Sequence, residues 1–250
     1  MTTRDHHNFK LVLFLLFLLL SISLKIMAQE KVTFPAKDGL IITADWYKID
    51  KTSSVIILCH QAGYSRGEYI ETAKKLNKWG FNCIALDQRS GNEINGIKNE
   101  TAALAKEQGK LDSYAAAEQD IVAAVDYVFQ QYKKKVILLG SSYSASLVLK
   151  ITKENKKVAA CIAFSPGEYI EKLNIQKTIA GMLDKPVFVT SAKSEAENVK
   201  TLMKELKSAQ KIQFVPQREG IHGSRALWSD NQNNQEYWLN LKSFLNDFKD

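Results

Sequence analysis

Apolar positions in this chain follow two rhythms. Short runs rich in β-branched residues recur at 31–34, 40–47, 55–59, 82–87, 136–140, 158–164, 186–191 and 211–216. Each is strand-length, and most are bounded by turn-forming residues, which predicts strands. Between the later runs lie segments of helical period. "EYIETAKKLNKWG" puts Ile70, Ala73, Leu76 and Trp79 on one face and stops at Gly80, and "EQDIVAAVDYVFQQY" does the same with Ile121, Val122, Val125 and Val128 or Phe129. "SEAENVKTLMKELKSA" and "EYWLNLKSFLNDF" complete the set. The first two strands are amphipathic and joined by "PAKDGL", whose Asp38-Gly39 marks a hairpin. The later strands are apolar throughout, as strands covered on both faces of a parallel sheet must be. The expected class is α/β, with an eight-stranded, mostly parallel sheet and helices on both faces. No repeat or second core interrupts residues 29–250, which read as one domain.

Two segments depart from this alternation. Residues 1–28 begin polar and basic, run through "LVLFLLFLLLSIS" and leave through "LKIMAQE" with Ala28 at a plausible cleavage point. That is the pattern of a signal peptide. The run is shorter than the roughly 20 apolar residues of a membrane span, although Leu24, Ile26 and Met27 extend it and leave an uncleaved anchor as the alternative. Export, to a periplasm or the exterior, is the expected localisation, with membrane contact only through this segment if it stays uncleaved. The second departure is the connection from Arg89 to Ala116, which is polar, carries three glycines and contains "NETAALAKEQG" as one short helix. Connections this long are often functional; it is expected to be a wall or partial lid over a site, or else a surface excursion.

Charge and cysteines narrow the class. Without residues 1–28 the net charge falls from +7 to +5, because the segment carries Arg4, Lys10 and Lys25 against Asp5. The remaining basic residues are interspersed with acids and lack interleaved aromatics, which argues against a nucleic-acid surface. Cys59, Cys83 and Cys161 each lie in or at the end of an apolar run and are expected to be buried, unpaired side chains. No Cys/His spacing suits a metal, and no cofactor is implied.

The chemistry centres on "VILLGSSYSAS". A strand closing on Gly140, a bend at Ser142 and a helix beginning with small residues describe an elbow that lifts a serine toward substrate. Ser144 occupies the place where a second glycine is usual. A serine nucleophile needs a base, and outside the first 28 residues only His60 and His222 are available. His222, between glycines after the last strand, is the candidate base; His60 reads as a brace for its loop. The base needs an acid after the following strand, and Glu195 is the candidate, with Glu197 as the alternative. Asp184 precedes that strand and lies at the wrong edge. The N–H groups of Ala62 and Tyr143 are candidates for an oxyanion hole. Gln61 is a candidate substrate contact, and Tyr64, Arg66 and Glu68 are either rim residues or ordinary surface.

Taken together, "CHQAGYSRGEY", "LDQRSGN", "GSSYS" and "GIHG" resemble the α/β-hydrolase superfamily, in particular its small serine-esterase and dienelactone-hydrolase-like members. The resemblance runs from about Lys31 to Phe248 and includes the order Ser, acid, His. The chain departs from the pattern at Ser144, Gln61 and Ser90, each standing where glycine is usual, and at Glu195, where aspartate is commoner. The resemblance implies an α/β-hydrolase fold and hydrolysis of a small ester-like substrate through an acyl-enzyme, with no cofactor. A non-catalytic binding protein or an acyltransferase on the same fold is the alternative. Oligomeric state and substrate identity are not indicated.

Overall fold

A computed structural model describes residues 29–208 and 210–249. The segment read as a signal peptide or anchor lies outside the described residues. All eight expected strands form: β1 Gln29–Pro35, β2 Ile41–Tyr47, β3 Val55–Cys59, β4 Asn82–Leu86, β5 Val136–Ser141, β6 Val158–Phe164, β7 Val187–Thr190 and β8 Lys211–Phe214. They make one sheet in the order β1-β2-β4-β3-β5-β6-β7-β8. Strand β2 pairs antiparallel with β1 and β4, and every other pairing is parallel. The β1–β2 turn uses Gly39 at φ +85°, and the Asp38 carboxylate accepts the Leu40 N–H.

The helices are α1 Ile70–Lys78, α2 Glu100–Glu107, α3 Glu118–Tyr132, α4 Tyr143–Glu154, α5 Ile175–Ile179, α6 Ala196–Leu202 and α7 Asn234–Leu245. Successive strand residues point to opposite faces, so β3 sends Ile57 and Cys59 into one core and Ile56 and Leu58 into the other. The first core holds apolar faces of α3, α4 and α6. The second holds Ala73 and Leu76 of α1 with Tyr237, Trp238, Leu241 and Phe244 of α7. Each fully buried Leu or Ile contributes about 1.5–3 kcal/mol, so a strand apolar on both faces is held from both sides. Cys59, Cys83 and Cys161 are buried and unpaired within these cores.

Strand register puts the loops where chemistry needs them. Cys59 lies opposite Gly140, Gly140 opposite Ala163, and Phe164 opposite both Ser141 and Thr190. The carboxyl ends of β3, β5, β6 and β7 therefore finish level, and their loops emerge side by side. The chain order reverses between β3 and β5, the switch point at which ligand sites form in open α/β sheets.

The connection at 89–116 is structured. It contains a short antiparallel pair, Glu93–Ile94 with Ile97–Lys98, then α2, and it returns over the sheet end so that Tyr114 stacks on Tyr143 at 4.2 Å. Arg89 is fully buried and ion-paired to Asp120 at 2.7 Å and Asp38 at 2.8 Å. Among the described residues, no helix is long and apolar enough to cross a membrane.

Candidate active site

Ser142 sits between β5 and α4 with φ +57° and ψ −122°. A non-glycine residue pays for positive φ in strain, and here packing on both sides enforces it. A Cβ on Gly140 would lie 2.5 Å from the Ser144 carbonyl oxygen and 2.7 Å from the Ala145 nitrogen, so only glycine lets the helix start this close to the strand. Ser144 fills the place of the second glycine without obstruction and adds hydrogen bonds. Its Oγ donates to the His60 carbonyl at 2.6 Å and accepts from Gln88 Nε2 at 2.7 Å, tying the elbow to the ends of β3 and β4.

His222 Nε2 lies 2.9 Å from Ser142 Oγ, and its Nδ1 is hydrogen-bonded to Glu195 Oε1. Glu195 Oε2 accepts from Ser165 Oγ at 2.6 Å and from the Ala192 N–H at 3.2 Å. With Glu195 as acceptor, Nδ1 carries the proton and Nε2 presents its lone pair to the serine. The Glu195 hydrogen bond raises the His222 pKa above its ordinary value, against the opposing effect of burial. Burial alone would raise Glu195, but its bonds to His222 and Ser165 outweigh that and hold it below the usual carboxylate value. Glu197 is exposed and pairs with Lys200 at 3.3 Å, away from His222.

His60 is completely buried. Its Nε2 accepts the Gln88 N–H at 3.0 Å, so the ring is the Nδ1–H tautomer and donates to the Gln61 carbonyl at 2.8 Å. Desolvation pushes its pKa down to about 4, and it stays neutral. The Gln61–Ala62 peptide is trans. With its carbonyl held toward His60, the Ala62 N–H leaves from the opposite side. The Tyr143 N–H is the first of α4 and has no carbonyl one turn back to bind. Neither N–H has an acceptor among the described residues. Gln61 is half-buried; its Oε1 lies 3.4 Å from Ser141 Oγ, and the side chain packs against Gly223.

Two residues expected at the rim or on the surface are inside the protein. Arg66 is 7% exposed and joins Asp45 at 3.1 Å, Asp87 at 2.5 Å and Glu100 at 2.8 Å. Glu68 is 1% exposed; its carboxylate accepts the Gln61 N–H at 2.8 Å and Ser224 Oγ at 2.5 Å. A charged side chain in "SRGEY" reads as surface from sequence, and only tertiary neighbours draw it inward. Tyr64 stays half-buried and stacks on Trp228. Ser165 is a further residue the pattern did not single out. It has φ +54°, donates to Glu195 and accepts the Gly223 N–H at 3.0 Å. The one sequence signal for it is its place at the end of β6 before "PG".

A groove of about 510 Å³ is lined by Ser90, Asp112, Tyr114, Tyr169, Glu171 and Lys172 among others; none of Ser142, His222 and Glu195 lines it, but two of its aromatic rings reach their neighbourhood. Tyr114 stacks on Tyr143, and the Tyr169 ring meets His222 edge-on at 6.5 Å. The connection at 89–116 is thus one wall of this groove. A larger groove of about 720 Å³ runs between β1 and α3 and touches none of the candidate residues. Among the described residues, no cluster of His, Cys, Asp and Glu is placed to hold a metal ion.

Comparison with solved structures returns the same architecture at low identity. An esterase from Pyrococcus furiosus aligns with a TM-score of 0.69 and 17% identity, over 90% of this chain and 92% of its own. A dienelactone hydrolase from Anabaena variabilis aligns at 0.69 and 11%, over 89% and 99%. A cold-adapted esterase from an Arctic intertidal metagenomic library aligns at 0.63 and 18%, over 89% and 94%. None of the curated proteins compared with the chain matches it in sequence. Residues 50–220 match the family described as serine aminopeptidase, S33. That span runs from just before β3 to just before His222 and covers more than half of the chain, which therefore belongs to this family of serine hydrolases with the α/β-hydrolase fold.

Proposed function

We propose that the protein is an exported ester hydrolase that works through a Ser142–His222–Glu195 triad and an acyl-enzyme. The observation that carries this reading is the unbroken relay from Ser142 Oγ through both nitrogens of His222 to Glu195. In the proposed cycle, His222 Nε2 takes the proton from Ser142 Oγ as that oxygen bonds to the substrate carbonyl carbon. The N–H groups of Ala62 and Tyr143 face the resulting oxyanion. His222 then returns the proton to the departing alkoxide oxygen and the C–O bond breaks. A water molecule, deprotonated by His222, attacks the acyl carbon and releases Ser142 with its proton restored. Glu195 takes no proton; it holds the tautomer and stabilises the imidazolium.

The groove between Tyr114 and Tyr169 suits a small substrate with mixed polar and aromatic contacts. A fluorophosphonate probe should label the wild-type protein on Ser142 and leave Ser142→Ala unlabelled. A folded wild-type protein that does not label would instead be a binding protein on this fold. A series of p-nitrophenyl esters of increasing chain length then ranks the acyl groups.

Amide hydrolysis is the second reading, favoured by the family's description as serine aminopeptidases. Aminoacyl p-nitroanilides turned over faster than p-nitrophenyl esters would favour it. Export rests on the pattern of residues 1–28. N-terminal sequencing of protein recovered outside the cytoplasm should begin at Gln29, and retention of residues 11–27 would mean an anchor.

A further inference from the structure

Behind the candidate triad lies a second carboxylate that the cycle above does not use. Glu68 lies in the 3-10 turn Arg66–Tyr69 and is almost entirely buried. It makes no salt bridge to a cation among the described residues; the charge of Arg225 acts on it without forming an ion pair. An unpaired buried carboxylate is costly, so its retention there calls for a physical role.

Its two oxygens join two loops. One accepts the Gln61 N–H at 2.8 Å. Since His60 holds the carbonyl of the same residue at 2.8 Å, Gln61 is gripped from both sides, and the direction of the Ala62 N–H follows. The other oxygen accepts Ser224 Oγ at 2.5 Å. The Ser224 N–H in turn donates to Ser141 Oγ at 2.8 Å, one residue from the nucleophile. The loops touch as well: a Cβ on Gly223 would fall 2.4 Å from Gln61 Oε1 and 2.6 Å from Ser141 Oγ. The oxyanion loop, the elbow and the histidine loop therefore meet at one buried carboxylate.

We propose that Glu68 is a positioning residue for the Ser142–His222 chemistry: its carboxylate locks the oxyanion loop to the histidine loop, and its negative charge favours the His222 imidazolium that forms as Ser142 attacks. This rests on the triad reading. The charge reaches His222, because Glu68 raises the His222 pKa in addition to the larger effect of Glu195. Desolvation lifts Glu68 itself to about 7, against the hydrogen bonds from Ser224 and Gln61. His222, raised from its ordinary value, is the group whose titration is linked to it, while desolvation holds buried His60 down at about 4. Burial pushes Cys59 and Tyr69 far up, and Glu195, the other carboxylate on His222, is held low.

The test is the rate of Ser142 phosphonylation by a fluorophosphonate as a function of pH, in wild type and Glu68→Gln. Glutamine keeps the shape, can accept the Gln61 N–H through its carbonyl and can donate to Ser224 Oγ, but carries no charge. The acid limb of the Glu68→Gln profile should move to lower pH. Its plateau should fall about tenfold or more, short of the roughly 10²–10³-fold cost of deleting an oxyanion donor outright. With p-nitrophenyl acetate the loss should appear in kcat more than in KM. A Glu68→Gln profile that overlays the wild type in limb and plateau overturns the proposal. A wild type that never labels instead overturns the triad reading beneath it, so the two failures are distinct. Ser224→Ala provides an independent arm should Glu68→Gln not fold. It cuts the tie to the histidine loop but keeps the charge, so the plateau should drop while the limb stays at the wild-type position. An unchanged Ser224→Ala plateau overturns the locking role.

Discussion

The elbow offers a direct test of how tightly backbone packing sets Ser142, the proposed nucleophile, through Gly140→Ala. A methyl group there would meet the Ser144 carbonyl oxygen at 2.5 Å, its carbon at 2.6 Å and the Ala145 nitrogen at 2.7 Å, all of them main chain. Ordinary contact begins near 3.4 Å, so the first turn of α4 must retreat from β5 by about 0.9 Å. No side chain can rotate away to absorb this, and overpacking of that kind costs about 1–3 kcal/mol. In a domain of this size each kcal/mol lowers the melting temperature by about 2–4 °C. Ser142 is the joint between the two elements and must shift by a comparable amount. Moved 0.9 Å away from His222, its 2.9 Å hydrogen bond would be lost. A displacement near 1 Å costs on the order of 10²-fold in rate. Circular dichroism melts and the rate of fluorophosphonate labelling measure the two effects separately. A Gly140→Ala protein that labels at the wild-type rate and melts within a degree of wild type would refute the packing account.

Further outcomes follow from the same geometry. Ser144→Gly restores the commoner motif but strips the His60 carbonyl and Gln88 of a partner, so it should destabilise the fold by about 1–3 kcal/mol in denaturant titration. Glu195→Gln should lower kcat by about 10²–10⁴-fold, with the larger figure applying if the wrong His222 tautomer prevails, whereas Glu197→Gln should leave kcat within a small factor. Ser165→Ala removes one hydroxyl that serves both Glu195 and the Gly223 N–H, so it should reduce kcat with little change in KM. Labelling should fail as pH falls through the His222 pKa, which lies above the ordinary imidazole value. Stability follows the paired shifts. The raised His222 contributes below its unfolded pKa and loses that contribution as pH rises through its folded pKa. The lowered Glu195 contributes above its unfolded pKa and loses it as pH falls through its folded pKa. The gap in melting temperature between wild type and Glu195→Gln should therefore be widest in the mildly acidic range and narrow toward alkaline pH.

The grip on Gln61 shows how the loop at 60–63 is fixed without the glycine that the resemblance leads one to expect there. His60 and Glu68 take its carbonyl and N–H, and its side chain lies under the histidine loop. Glycine is needed where backbone must pass close or adopt a conformation other residues resist. Here two buried side chains hold the peptide, and Gln61 is not among the residues with positive φ, so glycine's freedom is not required.

Most strand and helix positions were legible in the sequence because periodicity is local; the exception is "SEAENVKTLMKELKSA", whose helix ends at Leu202 and whose tail forms the short strand Leu206–Ser208. A run apolar on both faces is a buried parallel strand wherever it lies, as "VIILC" and "VILLG" become β3 and β5. The order in which Ser142, Glu195 and His222 follow their strands was legible for the same reason, as was the bend at Gly140-Ser-Ser. What only the tertiary structure decided is which side chains face one another across distant loops. Level strand ends put Ser165 beside Glu195, and the placement of the turn at 66–69 against the histidine loop buries Glu68. Nothing in "SRGEY" distinguishes a carboxylate bound for water from one that will accept Gln61 and Ser224 in the interior. Burial is a property of neighbours far apart in the chain: Glu68 and Ser224 are 156 positions apart. Periodicity carries information about which face of an element is covered, and it carries none about what covers it.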